Sequence, residues 1–176
     1  TPVLDEIILI AKTFLDLSQD VDIYVCHREK SEWDAEWLKG VTGVAYGNWG
    51  VLFLEFENEY GWSDDNLAEV IFHELNHICR AGHFKTTGFL FDEIITEGLA
   101  IQFERQMNLE TKFSWDLSLD RLEDLSDEKI KYGLRLVLDV GEADYNYYEW
   151  FKNFDGQKKD FPENFGYQIG SFVVQK

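Results

Sequence analysis

The stretch His73-Glu74-Leu75-Asn76-His77 is the most informative part of this chain. Residues four apart lie on one face of an α-helix, so His73 and His77 point the same way at a spacing suited to one metal ion. Glu74 projects beside them, where a carboxylate can take a proton from an attacking water. Two histidine ligands and a general base within one short segment predict a zinc-hydrolase site.

The segment before this motif supplies the helix that such a site requires. Ser63 is the predicted N-cap, with Asn66 in place of Glu at the third helical position, so we expect an incomplete capping box. The helix should begin at Asp64 and end at about Ala81, with Gly82 as its C-terminal stop. Apolar residues recur at helical spacing and predict one core-facing stripe, formed by Leu67, Val70, Ile71, Leu75 and Ile78. The alternative is a core helix whose two histidines bind no metal.

A catalytic zinc usually has three protein ligands and a water, so a third ligand must come from elsewhere in the chain. Glu97 is the first candidate, because it stands in the mostly apolar helical stretch Ile94–Glu104, where a glutamate is unusual. Gly98 would let this helix approach the zinc helix closely. Glu93 lies one turn before Glu97 on the same face and is an alternative ligand.

His83 is another candidate for the third ligand. It lies six residues after His77, the position of the third histidine in the metzincin pattern H-E-x-x-H-x-x-G-x-x-H. That pattern has glycine where this chain has Arg80. It also includes a methionine turn, whereas Met107 lies in a polar helix end. The competing interpretation of His83 is an exposed loop histidine.

In these segments the chain resembles the gluzincin group of zinc peptidases. The combination of His73-Glu74-x-x-His77 with Glu97-Gly98-Leu99-Ala100 is similar to the arrangement of that group. A more specific resemblance is to the YjaZ-like family of predicted zinc-dependent proteases. That family combines H-E-x-x-H with an E-G-L-A helix and a later G-Y-x-x-G stretch, here Gly166–Gly170. The resemblance extends from about Gly40 onward.

The resemblance implies a zincin-like fold and hydrolysis of peptide bonds with one zinc ion. Zinc would be held by His73, His77 and Glu97, and Glu74 would be the general base. Tyr167, which lies within the G-Y-x-x-G stretch, is the candidate donor to the oxyanion. Aminopeptidase specificity is not implied, because Thr96 replaces the asparagine of those enzymes and their exopeptidase motif does not precede the zinc helix.

Other polar residues are candidates for supporting roles. His27 is a second candidate oxyanion donor, and Asp92 and Glu93 are candidates to orient the ligand histidines through hydrogen bonds. The predicted strand Val51–Glu57 is a candidate edge to which an extended peptide substrate adds as a further strand. An internal strand is the alternative interpretation of that segment.

A small sheet followed by helices is the predicted order of elements, which is typical of the α+β class. The first helix is predicted at Val3–Leu17. Three strands are predicted, at Val21–Cys26, Val41–Tyr46 and Val51–Phe56, and the last two flank the turn Gly47-Asn48-Trp49-Gly50. The segment Glu29–Lys39 is predicted as a loop or short helix. Further helices are predicted at Ser126–Val140, Glu142–Phe154 and Glu163–Val174. We expect a single domain for 1–176, sheet-rich over about 1–60 and helical over about 61–176.

Composition and charge exclude several function classes. The formal net charge of −18 argues against binding to nucleic acid or to an anionic membrane surface. No stretch approaches ~20 consecutive apolar residues, so no membrane span is expected. Cys26 and Cys79 are expected to be free thiols in a cytoplasmic protein, and a disulfide between them is the alternative. Export or surface anchoring is the alternative location if a segment before Thr1 was removed.

The expected partner is therefore a peptide or protein substrate. Two other functions remain open at this point. One is a catalytically inactive, metal-stabilised binding module, and the other is a zinc hydrolase of a non-protein amide.

Overall fold

The computed structural model describes residues 2–17, 20–27, 40–47, 49–54, 63–85, 87–107, 126–140, 145–152 and 164–175. The chain forms two compact units. Unit 1 contains Thr1–Phe84 and Phe103–Lys112, and unit 2 contains Lys85–Gln102 and Phe113–Lys176. The prediction for Glu29–Lys39 lies outside the described residues, and the single domain remains a prediction.

Unit 1 contains a three-stranded sheet. Its elements are helix α1 (Pro2–Phe14), strands β1 (Asp22–His27), β2 (Val41–Tyr46) and β3 (Trp49–Leu54), and helix α2 (Asp64–His83). The strand order is β1-β3-β2, with β3 parallel to β1 and antiparallel to β2. Both sides of β3 are thus hydrogen-bonded. The prediction of an edge strand at Val51–Glu57 is therefore wrong for its described part, residues 51–54.

A short turn joins β2 to β3. Tyr46 pairs with Trp49, which leaves two residues to connect the strands. Gly47 has a φ of 58°, a left-handed conformation that glycine adopts without the steric penalty of a Cβ. The predicted bounds of β2 are confirmed, whereas β3 begins two residues earlier than predicted because the turn is shorter.

Helix α2 begins where the sequence predicts and ends later. The Ser63 hydroxyl accepts a hydrogen bond from the Asn66 backbone N–H, and the Asn66 side-chain oxygen accepts one from the Ser63 N–H, both at 3.3 Å. The capping box is therefore complete, contrary to the prediction, because Asn66 supplies the acceptor that Glu usually provides. The helix continues through Gly82 to His83, with Phe84 as an extended C-cap, so Gly82 is not its stop.

The apolar face of α2 packs in the core of unit 1. This cluster contains Ile7, Ala11, Val41, Leu67, Ile71, Phe72, Leu75, Ile78 and Phe103. Burial of each large aliphatic or aromatic side chain contributes about 1.5–3 kcal/mol. The packing therefore fixes the axis of α2 and the direction in which its other faces project.

The described part of unit 2 is helical. Its elements are the Leu90–Gln102 part of helix α3 (Leu90–Met107), helix α4 (Asp127–Asp139), a π-helical segment at Tyr148–Lys152 and helix α5 (Phe165–Val174). The remaining turn of α3 belongs to unit 1. The helices predicted at Ser126–Val140 and Glu163–Val174 are confirmed with slightly shorter bounds. The α+β class is confirmed as well.

Helices α3 and α5 approach each other closely within unit 2. A Cβ on Gly98 would overlap the backbone of Gly170, and a Cβ on Gly170 would overlap the carbonyl oxygen of Ile94. The Gln102 amide donates a hydrogen bond of 2.7 Å to the Ser171 hydroxyl. Gly98 therefore permits an approach to α5, a partner that the sequence did not predict.

None of the described helices combines the length and the apolar character that a bilayer crossing requires. Cys26 and Cys79 are both free thiols, as predicted. The cytoplasmic location remains a prediction.

Candidate metal centre

His73 and His77 are neighbours on one face of α2. Their ring centroids lie 4.6 Å apart, and the ring planes are nearly perpendicular at 77°. His73 is buried and His77 is half-buried. The spacing of four residues therefore brings the two imidazoles together, as the sequence predicts.

Within unit 1, Glu104 is a hydrogen-bond partner of His73. The Nδ1–H of His73 donates to Oε1 of Glu104, which is only 1% exposed. The preceding residues of both helices, Phe72 and Phe103, pack edge to face with centroids 5.9 Å apart, and this contact anchors the pair. A carboxylate on Nδ1 fixes the imidazole tautomer and leaves Nε2 as an acceptor, the arrangement usual for a metal-binding histidine.

The sequence reasoning predicted this orienting role for Asp92 or Glu93 and missed Glu104. Asp92 Oδ2 accepts hydrogen bonds from the Thr87 backbone N–H at 2.9 Å and from the Thr87 hydroxyl at 3.2 Å. These bonds stabilise the start of α3. A signal for Glu104 was present, because it follows Glu97 by seven residues, or two helical turns, in a mostly apolar stretch.

Glu74 lies against the sheet of unit 1. A Cβ on Gly43 of β2 would overlap the side chains of Glu74 and Val70, so the glycine makes the room that Glu74 occupies. Glu74 is half-buried. The candidate general base is therefore packed on β2, next in sequence to His73.

His83 and His27 lie at the ends of elements. The Nε2 of His83 is 3.0 Å from the Asp16 carbonyl oxygen, a contact between the end of α2 and the segment after α1. Both histidines are exposed. This agrees with the exposed interpretation of His83, although it lies in the last turn of a helix rather than in a loop.

Glu97 is buried in unit 2 and accepts a hydrogen bond from a tyrosine. The Tyr147 hydroxyl donates to Glu97 Oε1 at 3.4 Å, and it lies 3.0 Å from the hydroxyl of Tyr167. Burial raises the pKa of Tyr147 above its usual value, and the charge on Glu97 raises this pKa further. Tyr147 therefore keeps its proton and remains a hydrogen-bond donor at neutral pH.

The sequence predicted Tyr167 and missed Tyr147. Tyr147 stands in an aromatic-rich run, Tyr145-Asn146-Tyr147-Tyr148-Glu149-Trp150, in which no spacing marks one ring as special. Its contact with Glu97 joins residues fifty positions apart. Only the tertiary structure identifies it.

A helix with paired imidazoles, one of them bound by a buried carboxylate, indicates a metal-binding class of protein. Residues 7–176 match the sequence model of a family described as predicted Zn-dependent protease (DUF2268). The chain belongs to this family. No curated protein and no solved structure matches it.

Proposed function

We propose that this chain is a zinc-dependent peptidase in which His73, His77 and Glu97 hold one zinc ion. The observation that carries the proposal is the hydrogen bond from His73 Nδ1 to Glu104, because it makes Nε2 the deprotonated ring nitrogen, which is the form that binds a metal. His73, His77 and Glu97 are the ligands that the H-E-x-x-H motif and the E-G-L-A segment predict. Two imidazole nitrogens and one carboxylate oxygen match a known donor set of catalytic zinc.

The proposed reaction is hydrolysis of a peptide bond. When bound, zinc would supply a Lewis acid that polarises a carbonyl and makes water more acidic. Glu74 would accept a proton from the attacking water on its carboxylate and deliver that proton to the leaving amine. A further hydrogen-bond donor would stabilise the oxyanion on the former carbonyl oxygen, and Tyr167 is the residue that the sequence suggests for it. The packing of Glu74 on Gly43 supports its role, since it limits the positions that the carboxylate can take.

We propose that an extended peptide binds along β2. Among the described strands, β2 is an edge strand and contains Gly43, which contacts Glu74. A peptide that adds to a sheet edge forms main-chain hydrogen bonds with it. Substrates N-methylated on alternate backbone amides near the scissile bond should therefore bind more weakly than unmethylated ones. Equal binding of both kinds would contradict pairing with β2.

Elemental analysis of protein purified without chelators or nickel is the first test. We expect about one zinc per chain, by analogy with catalytic sites that have three protein ligands. A chain that neither contains zinc nor takes it up when supplied would contradict the proposal. That result would favour a binding module over a hydrolase.

The second test compares the wild type with Glu74→Gln on a mixture of peptides. Because the amide cannot accept the proton, we expect hydrolysis to fall by a factor on the order of 10²–10⁴ while zinc is retained. Undiminished turnover by Glu74→Gln would overturn the mechanism. Activity confined to small amides, and lost in the same variant, would instead identify a non-protein substrate.

A further inference from the structure

We infer that Tyr147 is a positioning residue that holds the Glu97 carboxylate, and that Tyr167 acts through Tyr147. The direction of hydrogen-bond donation is Tyr167 to Tyr147 to Glu97. This inference rests on the proposed function, because it takes Glu97 to be a zinc ligand. It also assigns Tyr167 a role different from direct donation to the substrate.

We call the hydrogen bonds from Tyr167 to Tyr147 and from Tyr147 to Glu97 the relay. Its direction follows from the number of hydrogens that each group carries. A carboxylate that binds metal is ionised and only accepts hydrogen bonds, so Tyr147 donates its hydroxyl hydrogen to Glu97 Oε1. A tyrosine hydroxyl has one hydrogen. In the 3.0 Å contact between the two hydroxyls, Tyr167 must therefore be the donor and Tyr147 the acceptor. The hydroxyl hydrogen of Tyr167 is thus directed at Tyr147. To donate to an oxyanion, Tyr167 would first have to break this hydrogen bond.

The two tyrosine rings are held by one buried phenylalanine. Phe151 is fully buried, stacks on the ring of Tyr147 at 4.5 Å, and meets the ring of Tyr167 edge to face at 5.1 Å. A Cβ on Gly166 would overlap the Phe151 ring, so this glycine makes the space that Phe151 fills. Packing therefore sets the positions of both hydroxyls.

The backbone near Glu97 is fixed in the same way. Gly98 follows Glu97 and packs directly on Gly170, which lies one turn after Tyr167 on α5. The E-G-L-A motif (Glu97–Ala100) and the G-Y-x-x-G motif (Gly166–Gly170) thus contact each other in unit 2. The glycines set the distance between the helices, and the relay connects their functional side chains.

Loss of a side chain that hydrogen-bonds to a metal ligand typically lowers metal affinity by about 10- to 100-fold, because the ligand is no longer held in its binding orientation. We expect Tyr147→Phe to lower zinc affinity by this factor. Tyr167→Phe should lower it in the same direction but by less, since it weakens the Tyr147 hydrogen bond only through polarisation. Tyr132→Phe, at an exposed site on α4, is the matched control and should leave the zinc affinity unchanged.

Two measurements on the full chain test the relay. Competition with a chromogenic chelator gives the zinc affinity. The visible spectrum of the cobalt-substituted protein reports the geometry of the ligands, which a purely structural role of Tyr147 would not alter. We expect a changed spectrum for Tyr147→Phe and the wild-type spectrum for Tyr132→Phe.

The outcomes separate the inference from the proposed function. If the wild type binds zinc and Tyr147→Phe binds it equally with an unchanged cobalt spectrum, the relay is overturned while the peptidase proposal stands. If the wild type binds no zinc, both are overturned. Should Tyr147→Phe fail to fold by circular dichroism, Tyr167→Phe decides. Reduced zinc affinity in that variant supports the relay. Unchanged zinc affinity of Tyr167→Phe overturns the relay. If its kcat is reduced while its zinc affinity is unchanged, Tyr167 is the hydrogen-bond donor to the oxyanion.

Discussion

Helices α2 and α3 carry the candidate ligands but are built differently. In α2 most of the apolar residues gather on one side, whereas α3 has apolar residues on all sides. The carboxylates of Glu97 and Glu104 are buried within α3. Burial of a charge is unfavourable without a partner, and each carboxylate has one, Tyr147 or His73. The residues of α2 thus follow a local pattern, while the polar residues of α3 are explained by distant partners.

The largest effect should come from the metal ligands of α2. His77→Ala removes one of three proposed ligands, so we expect the purified variant to contain essentially no zinc. His83→Ala, six residues later on the same helix, should keep about one zinc per chain because His83 contacts Asp16 instead. Elemental analysis of both variants is the measurement. Loss of zinc from His83→Ala would instead indicate that His83 is a zinc ligand, as in the metzincin pattern.

The next largest effect should arise where α3 touches α5. The Cβ in Gly98→Ala would overlap the backbone of Gly170, which cannot rotate away as a side chain can. Overpacking of this kind destabilises by about 1–3 kcal/mol, and we expect the upper end of that range. Urea unfolding measures the change. Full stability of Gly98→Ala would show that the two helices are not held as closely as described.

Glu104→Gln tests the contact that links α3 to the histidine pair. The amide cannot replace the charge on the carboxylate that faces His73 Nδ1, so zinc affinity should fall by about 10- to 100-fold. Asp92→Asn is the control, because Asp92 contacts Thr87 at the start of α3. It should leave zinc affinity unchanged. A larger effect from Asp92→Asn than from Glu104→Gln would return the orienting role to Asp92.

The same contrast explains how much the sequence could predict. The start of α2, the bounds of β2 and the histidine pair follow from caps and spacing, which are local properties. The order of the strands is not local, so β3 was proposed as an edge although it pairs on both sides. The contacts of Tyr147 with Glu97 and of Glu104 with His73 likewise join distant residues. The histidine ligands could therefore be proposed from the sequence, while the residues that hold the ligands could not.

The smallest effect is expected at the C-terminal end of α2. Gly82 lies in the last turn of α2, is exposed, and has no atom within 4 Å of where a Cβ would be placed. Gly82→Ala should therefore stabilise the chain by about 0.5–1 kcal/mol, since alanine loses less backbone entropy in a helix than glycine. A rise in the urea midpoint checks this, and a fall would mean that Gly82 terminates α2, as the sequence suggested. One added methyl group should thus have opposite effects on the two helices, because a Cβ at Gly82 faces open space and a Cβ at Gly98 meets the backbone of α5.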